Sequence, residues 1–556
     1  MNILGINTFS HDTSAALVQN GEVVAFVEEE RFLRKKHTYE YPVNSIKYCL
    51  NTGGLKDINE LDYVCFSYIP TLDLRRGFID FLKRPYTILR FGGQVMFDHQ
   101  LNQKIKQIRS KHGYKGKIAL VGHHRAHAAS SFLLSDFSES AIFSIDRGGD
   151  YISTMMGVGR GNDIKVIREI KNPHSLGSVY TCITKYLGFT PNSGEGKVMG
   201  LAPYGRPTYY EDFKDLVFFD NGNFQVNLSY FTYHYKGGYG ASNKFLKKFG
   251  PPRQKESQMS EHYEDIAWAL QKITEDCAVH LCNWLYEQTK LDNLCIAGGI
   301  GLNSVMNAQI LMNTPFKDVF IQAAANDAGG AVGSAIYMWN KLNQPKKHIA
   351  LNHVYLGPEY SEGEIEEALG AFHVKKSKVE NVTKEAAKKI ADGKIVGWFQ
   401  GRMEAGPRAL GNRSILADPR DPKMKDIINA RVKFREGFRP FAPSVLQEYA
   451  AEYFEPYYPE HFMLMVLPIK EEKREVIPSV NHVDNTGRIQ TVSKDINPLY
   501  WDLINEFYKL TKVPVVLNTS FNVRGEPIVC TPKEAINCFI KADIDYLFIG
   551  NWMLEK

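Results

Sequence analysis

A pattern of three short strands around an acidic turn occurs twice in the chain, and it restricts the possible folds more than any other feature. The apolar segments lie at residues 2–7, 14–18 and 22–29 in the first copy and at residues 141–145, 152–157 and 164–169 in the second. The turns contain Asp12 and Asp146, and Asn20-Gly21 favours a tight hairpin because both residues tolerate positive φ. The repetition predicts a duplicated domain, although two unrelated β-hairpins would give the same pattern.

The segments that follow alternate helices and strands, as is typical of an α/β protein. A long helix over residues 261–290 precedes a short apolar strand, after which come Gly298, Gly299 and Asn303. Glycines in this position allow backbone N–H groups to approach a phosphate at the start of a helix. One such loop alone is a weak signal of nucleotide binding.

The length of the chain indicates more than one domain. It has 556 residues, whereas a single domain usually has roughly 100–200. A polar segment over residues 344–353, which contains Pro345, separates two α/β patterns. We therefore predict one domain at residues 1–350 and a second at residues 351–556.

Composition excludes several classes of protein. Apolar residues make up 44% and charged residues 23%, as in ordinary globular chains and unlike disordered or fibrous ones. The 67 Lys and Arg against 62 Asp and Glu leave a formal net charge of +5, too small over this length to indicate nucleic-acid binding. The eight cysteines form no CxxC pair, and there is neither a signal peptide nor an apolar run near the ~18 residues of a membrane span. We expect a cytoplasmic protein with no membrane partner.

The segment His123-His124-Arg125-Ala126-His127 is the sharpest candidate for a metal site. In a helix, His123 and His127 lie four positions apart on one face, the spacing at which two imidazoles bind one ion. Asp146 and Asp327 each end a strand, where a carboxylate can point into a cleft. Two histidines with carboxylates suit Fe(II), Mn(II) or another octahedral divalent ion better than structural zinc. An isolated pair of histidines at this spacing is more often structural.

His11-Asp12 in the first turn is a second candidate. A carboxylate beside an imidazole can orient a hydroxyl group or take its proton. Aspartate also favours turns for its own hydrogen bonding, and for these two residues alone that structural explanation is the stronger one.

Cationic residues are concentrated among glycines and prolines in the C-terminal third. The set comprises Arg402, Arg408, Arg413, Lys433, Arg435 and Arg439. Guanidinium groups bind phosphate through paired hydrogen bonds, so we favour a phosphate site here over structural ion pairs. Asn518 and Ser520, which follow a β-branched strand, offer short amide and hydroxyl groups to the same anion.

Several motifs in a fixed order make a resemblance specific. They are Ser10-His11-Asp12, Glu30-Arg31-Phe32 with Lys36-His37, HHRAH, Asp146-Arg147-Gly148-Gly149, GEGKVMGLAPYG, AGGIGLNSVMN, AANDAGGA, GRMEAGPRALGNRSILADPR, FRPFAPSV and LNTSFN. Over essentially its whole length the chain resembles the NodU/CmcH family of O-carbamoyltransferases, which includes antibiotic carbamoyltransferases such as the tobramycin carbamoyltransferase.

The resemblance implies a fold and a reaction. The first domain would be a duplicated ASKHA-type (actin/sugar-kinase-like) α/β domain, and the second a YrdC-like α/β domain. The second domain would convert carbamoyl phosphate and ATP, with Mg²⁺, into carbamoyladenylate and pyrophosphate. The first domain would then transfer the carbamoyl group to a hydroxyl of a small natural product, an antibiotic, a toxin or a sugar-like metabolite, and release AMP.

The resemblance also implies roles for individual residues. The metal ligands would be His123, His127, Asp146 and Asp327, with Fe(II) or another divalent ion. Asp12, with His11, would position or deprotonate the acceptor hydroxyl. The nucleotide contacts in the first domain would be Lys36, Gly298, Gly299 and Asn303. The carbamoyl phosphate and ATP contacts in the second domain would be Arg408, Lys433, Arg439, Arg488, Asn518 and Ser520, of which Arg488 rests on the short motif TGRIQTV. The i,i+4 spacing favours His123 over His124 as the first metal ligand.

Three other functions fit parts of the sequence. A sugar kinase of the ASKHA type would release ADP and would leave the cationic C-terminal segment unexplained. A fused threonylcarbamoyl-type tRNA-modifying enzyme is disfavoured by the small net charge. A non-catalytic regulator would bind ATP without releasing pyrophosphate. The acceptor and the oligomeric state stay open, with a homodimer as one alternative, and residues 209–250 either shape the acceptor pocket or form a surface insertion.

Overall fold

The computed structural model describes residues 1–9 and 11–556, so Ser10 of the first motif lies outside the described residues. Its contacts divide the chain into two compact units. The first contains residues 1–29 and 37–351, and the second contains residues 30–36 and 352–556. The break after Leu351 lies within the polar segment at residues 344–353, whereas no sequence pattern predicts that residues 30–36 belong to the second unit.

Twelve strands form the sheets of the first unit. They are β1 (Asn2–Asn7), β2 (Ser14–Gln19), β3 (Glu22–Glu28), β4 (Tyr63–Phe66), β5 (Lys117–Leu120), β6 (Glu139–Gly149), β7 (Ile152–Arg160), β8 (Asp163–Lys171), β9 (Val217–Asp220), β10 (Asn223–Val226), β11 (Asn293–Ala297) and β12 (Asp318–Ile321). Two sheets have five strands each, in the orders β3-β2-β1-β4-β5 and β8-β7-β6-β11-β12, and β9 pairs with β10 alone.

The two five-stranded sheets have the same topology. In each, the first three strands form an antiparallel meander, and two parallel strands follow on the other side of the first. An identical order and direction of five strands is the structural signature of a duplication. The prediction of a duplicated α/β domain is therefore confirmed, and this is the arrangement of an ASKHA-type fold.

Helices surround and connect these sheets. They are α2 (Val43–Thr52), α3 (Leu72–Lys83), α4 (Ile88–Ser110), α5 (His123–Phe132), α6 (Leu176–Tyr186), α7 (Glu195–Leu201), α8 (Tyr210–Lys214), α9 (Tyr233–Lys236), α10 (Asn243–Phe249), α11 (Glu261–Thr289), α12 (Ser304–Asn313) and α13 (Gly329–Asn343), while α1 (Glu30–Leu33) belongs to the second unit. A Cβ on Gly333 would meet the Ala126 carbonyl oxygen at 2.0 Å, so glycine allows α13 to pack directly on α5. This packing holds α5, which carries both candidate histidine ligands, against the fold.

The second unit is built on one mixed sheet of eight strands. The ten strands described in this unit are β13 (Lys375–Lys378), β14 (Val396–Phe399), β15 (Arg413–Ala417), β16 (Ala442–Leu446), β17 (Val466–Pro468), β18 (Thr486–Arg488), β19 (Gln490–Val492), β20 (Val515–Ser520), β21 (Tyr546–Ile549) and β22 (Trp552–Glu555). The sheet order is β13-β22-β21-β14-β15-β20-β16-β19, and β17 pairs separately with β18. The helices are α14 (Glu362–Gly370), α15 (Val382–Ala391), α16 (Met424–Ile428), α17 (Ala450–Tyr453), α18 (Pro498–Thr511) and α19 (Pro532–Lys541).

Residues 30–36 are held in the second unit by side-chain and backbone contacts. The Arg34 guanidinium donates to the carbonyl oxygens of Pro527 and Ile528, each at 2.7 Å. Arg31 donates to the Gly406 carbonyl oxygen at 2.7 Å, and Phe32 packs on an apolar cluster that includes Met403. The motif around Glu30 therefore belongs structurally to the C-terminal half of the chain.

All eight cysteines are buried free thiols. None of the described helices combines the length and the apolar character that crossing a bilayer requires.

Candidate active site

Four side chains of the first unit converge on one point. His123 and His127 lie one turn apart on α5, Asp146 lies near the end of β6, and Asp327 follows β12. The His123 Nε2 atom is 2.9 Å from the Asp146 Oδ2 atom and 3.2 Å from the His127 Nε2 atom. The Asp327 Oδ1 atom is 3.8 Å from the first imidazole and 3.7 Å from the second. All four side chains are buried.

This donor set fits a divalent metal ion. One ligand atom from each of the four residues lies within 4.8 Å of every other, so a single ion can contact all of them. Two imidazole nitrogens and two carboxylate oxygens suit an octahedral ion that keeps open positions for substrate. The buried Nε2 atoms of two histidines face each other, an arrangement that a shared cation explains better than a hydrogen bond does.

Charges at this point favour a cation. Burial alone would lower the pKa of His127, but the carboxylates of Asp146 and Asp327 outweigh it and raise that pKa to about 9. Burial would raise the pKa of both carboxyl groups, yet the histidines hold each pKa below its usual value. A histidine must be neutral to bind a metal ion, so metal binding here competes with protonation of His127.

His124 points away from this point. Its Nδ1 atom lies 2.8 Å from the Ser144 hydroxyl, and its Nε2 atom lies 3.0 Å from the Ile152 carbonyl oxygen. Burial lowers the pKa of His124 to about 3, so the imidazole is neutral and fully used in hydrogen bonds to the sheet. The structure thus brings His123, and not His124, to the acidic cluster.

Asp150 positions the first histidine, a role that the sequence did not indicate. Its Oδ2 atom accepts a hydrogen bond from the His123 backbone N–H at 2.6 Å, and its Oδ1 atom accepts one from the Ile69 N–H at 3.2 Å. A carboxylate at the start of α5 satisfies a helix N–H group that has no intrahelical partner. The sequence feature that could have identified it is its position directly after the motif Asp146-Arg147-Gly148-Gly149.

Asp12 lies between two histidines. Its Oδ2 atom is 2.7 Å from the His11 Nδ1 atom, and its Oδ1 atom is 2.7 Å from the His37 Nδ1 atom. Asn326 also donates to Asp12 Oδ2, at 2.8 Å. His37 and Asn326 are functional candidates that the sequence analysis missed, although both lie within its quoted motifs.

The electrostatics separate the roles of His11 and Asp12. Burial would raise the pKa of Asp12, but hydrogen bonds from His11 and His37 hold it far below its usual value. Burial would lower the pKa of His11, but the Asp12 carboxylate outweighs it and raises that pKa above 6.5. Asp12 is therefore a poor proton acceptor, whereas an imidazole oriented by this carboxylate is a good one.

The glycine loop after β11 approaches the same cluster. The Gly299 N–H donates to Asp146 Oδ1 at 3.2 Å. Gly298 has a φ of 93°, and a Cβ there would meet the Ile145 carbonyl oxygen at 2.2 Å, so only glycine fits. Asn303 exchanges hydrogen bonds with Gln271 and accepts one from the Met306 N–H, which caps α12. Of the expected nucleotide contacts in this unit, the two glycines lie at the cluster and Asn303 has a capping role.

Arg147 extends the site with a positive charge. Its guanidinium donates to Asn192 Oδ1 at 2.8 Å and to the Tyr239 hydroxyl. Both partners are neutral, and none of the described ion pairs includes Arg147. The charge of Arg147 acts on His11, and the charges of Asp146 and Asp327 act on Arg147, so this half-buried cation lies beside both groups.

Four arginines form a cationic cluster in the second unit. They are Arg408, Arg435, Arg439 and Arg488. Burial and the neighbouring arginines lower the pKa of Arg408 to about 10 and hold the pKa of Arg488 well below its usual value. The Nε atoms of these two side chains are buried without a hydrogen-bond partner among the described residues. Arg439 makes a loose ion pair with Glu436, at 3.8 Å. Repulsion among these buried cations favours the binding of an anion.

Lys433 lies beside this cluster at the end of a π-helical turn over Asn429–Lys433. Its buried ammonium group donates to the Asn522 carbonyl oxygen and to Asn522 Oδ1, each at 2.9 Å, and to the Ser520 carbonyl oxygen. Burial and the charge of Arg435 keep the pKa of Lys433 well below its usual value. Asn518 is buried on β20, and its Oδ1 atom has no partner among the described residues. π-helical turns of this kind are frequent at functional sites.

Two arginines of the expected phosphate set make hydrogen bonds to the backbone. Arg413 is fully buried, donates to carbonyl oxygens of Gln400, Gly401 and Pro358, and stacks 3.7 Å from the Phe399 ring. Arg402 donates to the carbonyl oxygen of Leu356 at 2.7 Å. These bonds tie both guanidinium groups to the local backbone, and phosphate binding by either residue stays a prediction.

Lys36 lies in the second unit and not in the first, where its nucleotide contact was expected. Its charge contributes to the lowered pKa of Lys433, so the two ammonium groups lie near one another. The reason is the path of residues 30–36, which leave the N-terminal sheet and join the C-terminal unit. Lys36 therefore adds to the positive charge around the arginine cluster.

Comparisons with known proteins agree with this arrangement. The family description "Carbamoyltransferase N-terminus" matches residues 2–336, and "Carbamoyltransferase C-terminus" matches residues 387–556. An uncharacterised protein of Synechocystis is 40% identical over 100% of this chain and 96% of its own length. The nodulation protein NolNO of Sinorhizobium fredii is 39% identical over 99% of this chain and 80% of its own length.

A solved structure shows a weaker likeness. The activator of 2-hydroxyisocaproyl-CoA dehydratase from Clostridium difficile, with bound ADPNP, has a TM-score of 0.32 and 11% identity. It aligns with 61% of this chain and 95% of its own. This likeness carries no weight in assigning the family.

The two family descriptions contain both groups of candidate residues. The four candidate metal ligands lie within the N-terminal match, and the four clustered arginines lie within the C-terminal match. Together the matches span most of the chain in the expected order, and a relative at 40% identity covers it from end to end. The chain therefore belongs to the carbamoyltransferase family, and it is a carbamoyltransferase.

Proposed function

We propose that this carbamoyltransferase makes carbamoyladenylate from carbamoyl phosphate and ATP and then transfers the carbamoyl group to a hydroxyl of a small molecule. Carbamoyl phosphate is first hydrolysed to carbamate and phosphate. A carbamate oxygen attacks the α-phosphorus of ATP, and pyrophosphate leaves. The acceptor oxygen then attacks the carbamoyl carbon, its proton passes to a base, and AMP leaves. Because both co-substrates are made inside cells, we propose a cytoplasmic location.

The cluster of Arg408, Arg435, Arg439 and Arg488 is the observation that carries this proposal. Four guanidinium groups that lower one another's pKa are destabilising unless an anion of high charge binds between them. ATP and carbamoyl phosphate supply such charge, and pyrophosphate is a leaving group that these arginines would stabilise. We assign the formation of the adenylate to this YrdC-like second unit, with Lys433, Asn518 and Ser520 beside the cluster.

We assign the transfer step to the first unit. His123, His127, Asp146 and Asp327 would hold Fe(II) or another divalent ion, which when bound supplies a Lewis acid for the phosphate of the leaving group. Gly298 and Gly299 leave the backbone open to the nucleotide. Asp12 fixes the orientation of His11 and His37, and a histidine so held takes the proton of the acceptor hydroxyl.

The assignment of the base predicts a pH dependence. His11 must be neutral to accept a proton, and Asp12 holds its pKa above 6.5. The rate of transfer should therefore rise with pH through a midpoint above 6.5. Asp12→Asn removes the negative charge that raises the pKa of His11, so the midpoint should move to lower pH. The maximal rate should fall by about 10²-fold. Single-turnover transfer from preformed adenylate, measured between pH 5.5 and 9, tests this, and a midpoint that Asp12→Asn does not move contradicts the assignment.

Arg147 restricts the class of acceptor. Its guanidinium lies beside His11 and is held by the neutral side chains of Asn192 and Tyr239. A polycationic acceptor such as an aminoglycoside would bring a like charge toward this guanidinium. We propose a neutral or anionic acceptor of the sugar type, and residues 209–250 contribute Tyr239 to its site.

This restriction gives a second prediction. In a panel of sugar alcohols, sugar acids and aminoglycosides, the wild-type protein should carbamoylate a sugar or sugar acid and reject the aminoglycosides. Arg147→Ala should raise the KM for a sugar acid by about tenfold or more and leave kcat nearly unchanged, because the contact is made in the ground state and the transition state alike. Arg160→Ala, which removes an exposed guanidinium from β7, is the matched control. A wild-type preference for aminoglycosides contradicts the proposal.

Product analysis tests the function as a whole. The purified protein is incubated with carbamoyl phosphate, ATP, Mg²⁺ and Fe(II) and with the same panel of alcohols, and nucleotides and acceptors are identified by mass spectrometry. AMP, pyrophosphate and a carbamoylated alcohol are expected in equal amounts. ADP together with a phosphorylated alcohol would show a kinase instead.

A further inference from the structure

A helical hairpin of the first unit exposes a concentrated apolar surface that the proposed reaction does not use. The hairpin consists of α3, a 3-10 turn over Pro85–Thr87, and α4. The exposed large apolar side chains within it are Phe78, Ile79, Leu82, Tyr86, Ile88, Leu89, Val95 and Met96. Leu89 is 68% exposed and Met96 66% exposed. Single exposed apolar residues are normal on proteins, but eight within one short hairpin mark an interaction surface.

The hairpin is folded and anchored, so this exposure is not the result of loose helices. The rings of Phe81 and Phe91 stack across the two helices with centroids 5.5 Å apart. The Arg76 guanidinium donates to the Asp150 carbonyl oxygen at 2.6 Å, and Arg90 lies 5.5 Å from the Tyr151 ring. The inner side of the hairpin is therefore tied to the fold, and its apolar outer side is left facing solvent.

The charges on this surface have one sign. Within residues 71–96, all of which the structure describes, the exposed charged side chains are Arg75, Lys83 and Arg84. The two acidic residues of the same stretch are half-buried. Asp73 accepts a hydrogen bond from the Tyr68 hydroxyl, and Asp80 lies 3.7 Å from Arg90 and 3.9 Å from Arg84, which stays exposed. The outer surface of the hairpin is thus apolar and basic.

We propose that this hairpin docks the protein on the surface of an anionic phospholipid bilayer. Apolar side chains at its turn, such as Leu82, Tyr86 and Leu89, enter the boundary between headgroups and acyl chains. Arg75, Lys83 and Arg84 pair with lipid phosphates. An amphipathic helical segment with apolar and basic residues binds membranes in this way without crossing them.

The basic charge favours a bilayer over a second copy of the chain. Self-association through this face would bring like charges together, which opposes binding.

Docking on a bilayer departs from the expectation that the protein has no membrane partner. That expectation was drawn from the lack of a membrane-spanning segment. Docking also has a structural consequence, since α3 forms one wall of a cleft of about 570 Å³ whose lining includes Tyr151. Docking would place this cleft at the bilayer surface.

Vesicle co-sedimentation of the full chain tests the proposal. We expect binding to vesicles of phosphatidylcholine mixed with phosphatidylglycerol, weakening as salt is added, and much less binding to phosphatidylcholine alone. Leu89→Ser should lower the partition coefficient by about tenfold, because one inserted apolar side chain is lost. Lys83→Gln combined with Arg84→Gln should lower it by about tenfold as well. Leu510→Ser is the matched control, since Leu510 is a leucine 58% exposed in the second unit.

Each outcome decides the proposal. Because Leu89 is exposed, Leu89→Ser should unfold at the wild-type temperature, which circular dichroism checks. Binding that Leu89→Ser weakens and Leu510→Ser does not supports the hairpin as the docking surface. Absent binding to anionic vesicles, or binding equally strong in Leu89→Ser, overturns it. A wild-type dimer in light scattering that Leu89→Ser converts to a monomer, without vesicle binding, assigns the surface to a second copy of the chain. The readouts do not depend on carbamoyl transfer.

Discussion

Replacing Arg488 with alanine should greatly slow the release of pyrophosphate while leaving the protein at least as stable as the wild type. Arg488 lies among Arg408, Arg435 and Arg439, whose charges and whose burial hold its pKa well below the usual value. Removing it relieves repulsion in the empty site but takes a donor from the anion that the site stabilises. The rate of pyrophosphate release should fall by about 10²–10³-fold, as for the loss of one preorganised charged donor.

Two measurements distinguish this result from a folding defect. The melting temperature of Arg488→Ala should equal or exceed that of the wild type without ligand, and addition of pyrophosphate should raise the wild-type melting temperature but not that of the variant. Arg431→Ala is the matched control, because the Arg431 guanidinium pairs with Asp543 at 2.6 Å on the surface of the same unit. An Arg488→Ala variant that releases pyrophosphate at the wild-type rate would remove the cluster from the reaction.

Replacing His127 with alanine should have the opposite effect: it should slow carbamoyl transfer and spare pyrophosphate release. The variant should release pyrophosphate at nearly the wild-type rate and transfer the carbamoyl group about 10³-fold more slowly, since Lewis-acid stabilisation of a leaving group contributes several kcal/mol. Bound metal, measured by inductively coupled plasma mass spectrometry, should fall from one ion per chain toward zero. The physical reason is that the Nε2 atom of His127 lies 3.7 Å from Asp327 and 3.8 Å from Asp146, within one coordination shell.

His124→Gln provides the matched control on the same helix. His124 bonds to Ser144 and Ile152 and contributes no atom to the cluster, so this variant should keep its metal even if it melts at a lower temperature. Loss of metal in His124→Gln but not in His127→Ala would mean that His124, and not His127, is the metal ligand. Loss of pyrophosphate release in His127→Ala would contradict the division of the two steps between the units.

The duplicated sheets were predictable because local patterns determine them. Alternating apolar residues and an Asn20-Gly21 turn are sufficient to predict a β-meander, and its recurrence near Asp146 predicts a second one. The spacing of His123 and His127 predicts a shared helix face for the same reason. Asp146 and Asp327 lie near the ends of β6 and β12, which are parallel strands of one sheet. Both carboxylates are therefore at the same edge of that sheet, where they contact the two histidines.

The roles of individual arginines were not predictable from local patterns. Arg408 and Arg413 are five residues apart in one glycine-rich segment, yet one faces other arginines and the other donates to carbonyl oxygens in the core. Whether an arginine faces other arginines or enters the core depends on the direction of the backbone after each turn. Composition could indicate that cations gather here, but it could not indicate which of them remain without a partner.

His37 and residues 30–36 illustrate a second limit. Their positions depend on the path by which the chain leaves the N-terminal sheet, enters the second unit and returns. No periodicity encodes such a path, so the pairing of His37 with Asp12 could only be found in the structure. The exposed face of α3 and α4 could not be predicted either. A sequence can reveal an amphipathic helix, but it does not reveal which face of the helix stays uncovered.

An isotope experiment tests the mixed anhydride most directly. Carbamoyl phosphate labelled with ¹⁸O on its carbamoyl oxygens is supplied with ATP, and the AMP formed during transfer is analysed by mass spectrometry. If a carbamate oxygen attacks the α-phosphorus, that oxygen leaves with AMP, so AMP should carry ¹⁸O. If the acceptor instead attacks carbamoyl phosphate itself, no labelled AMP will form, and the account of two steps joined by carbamoyladenylate will be wrong.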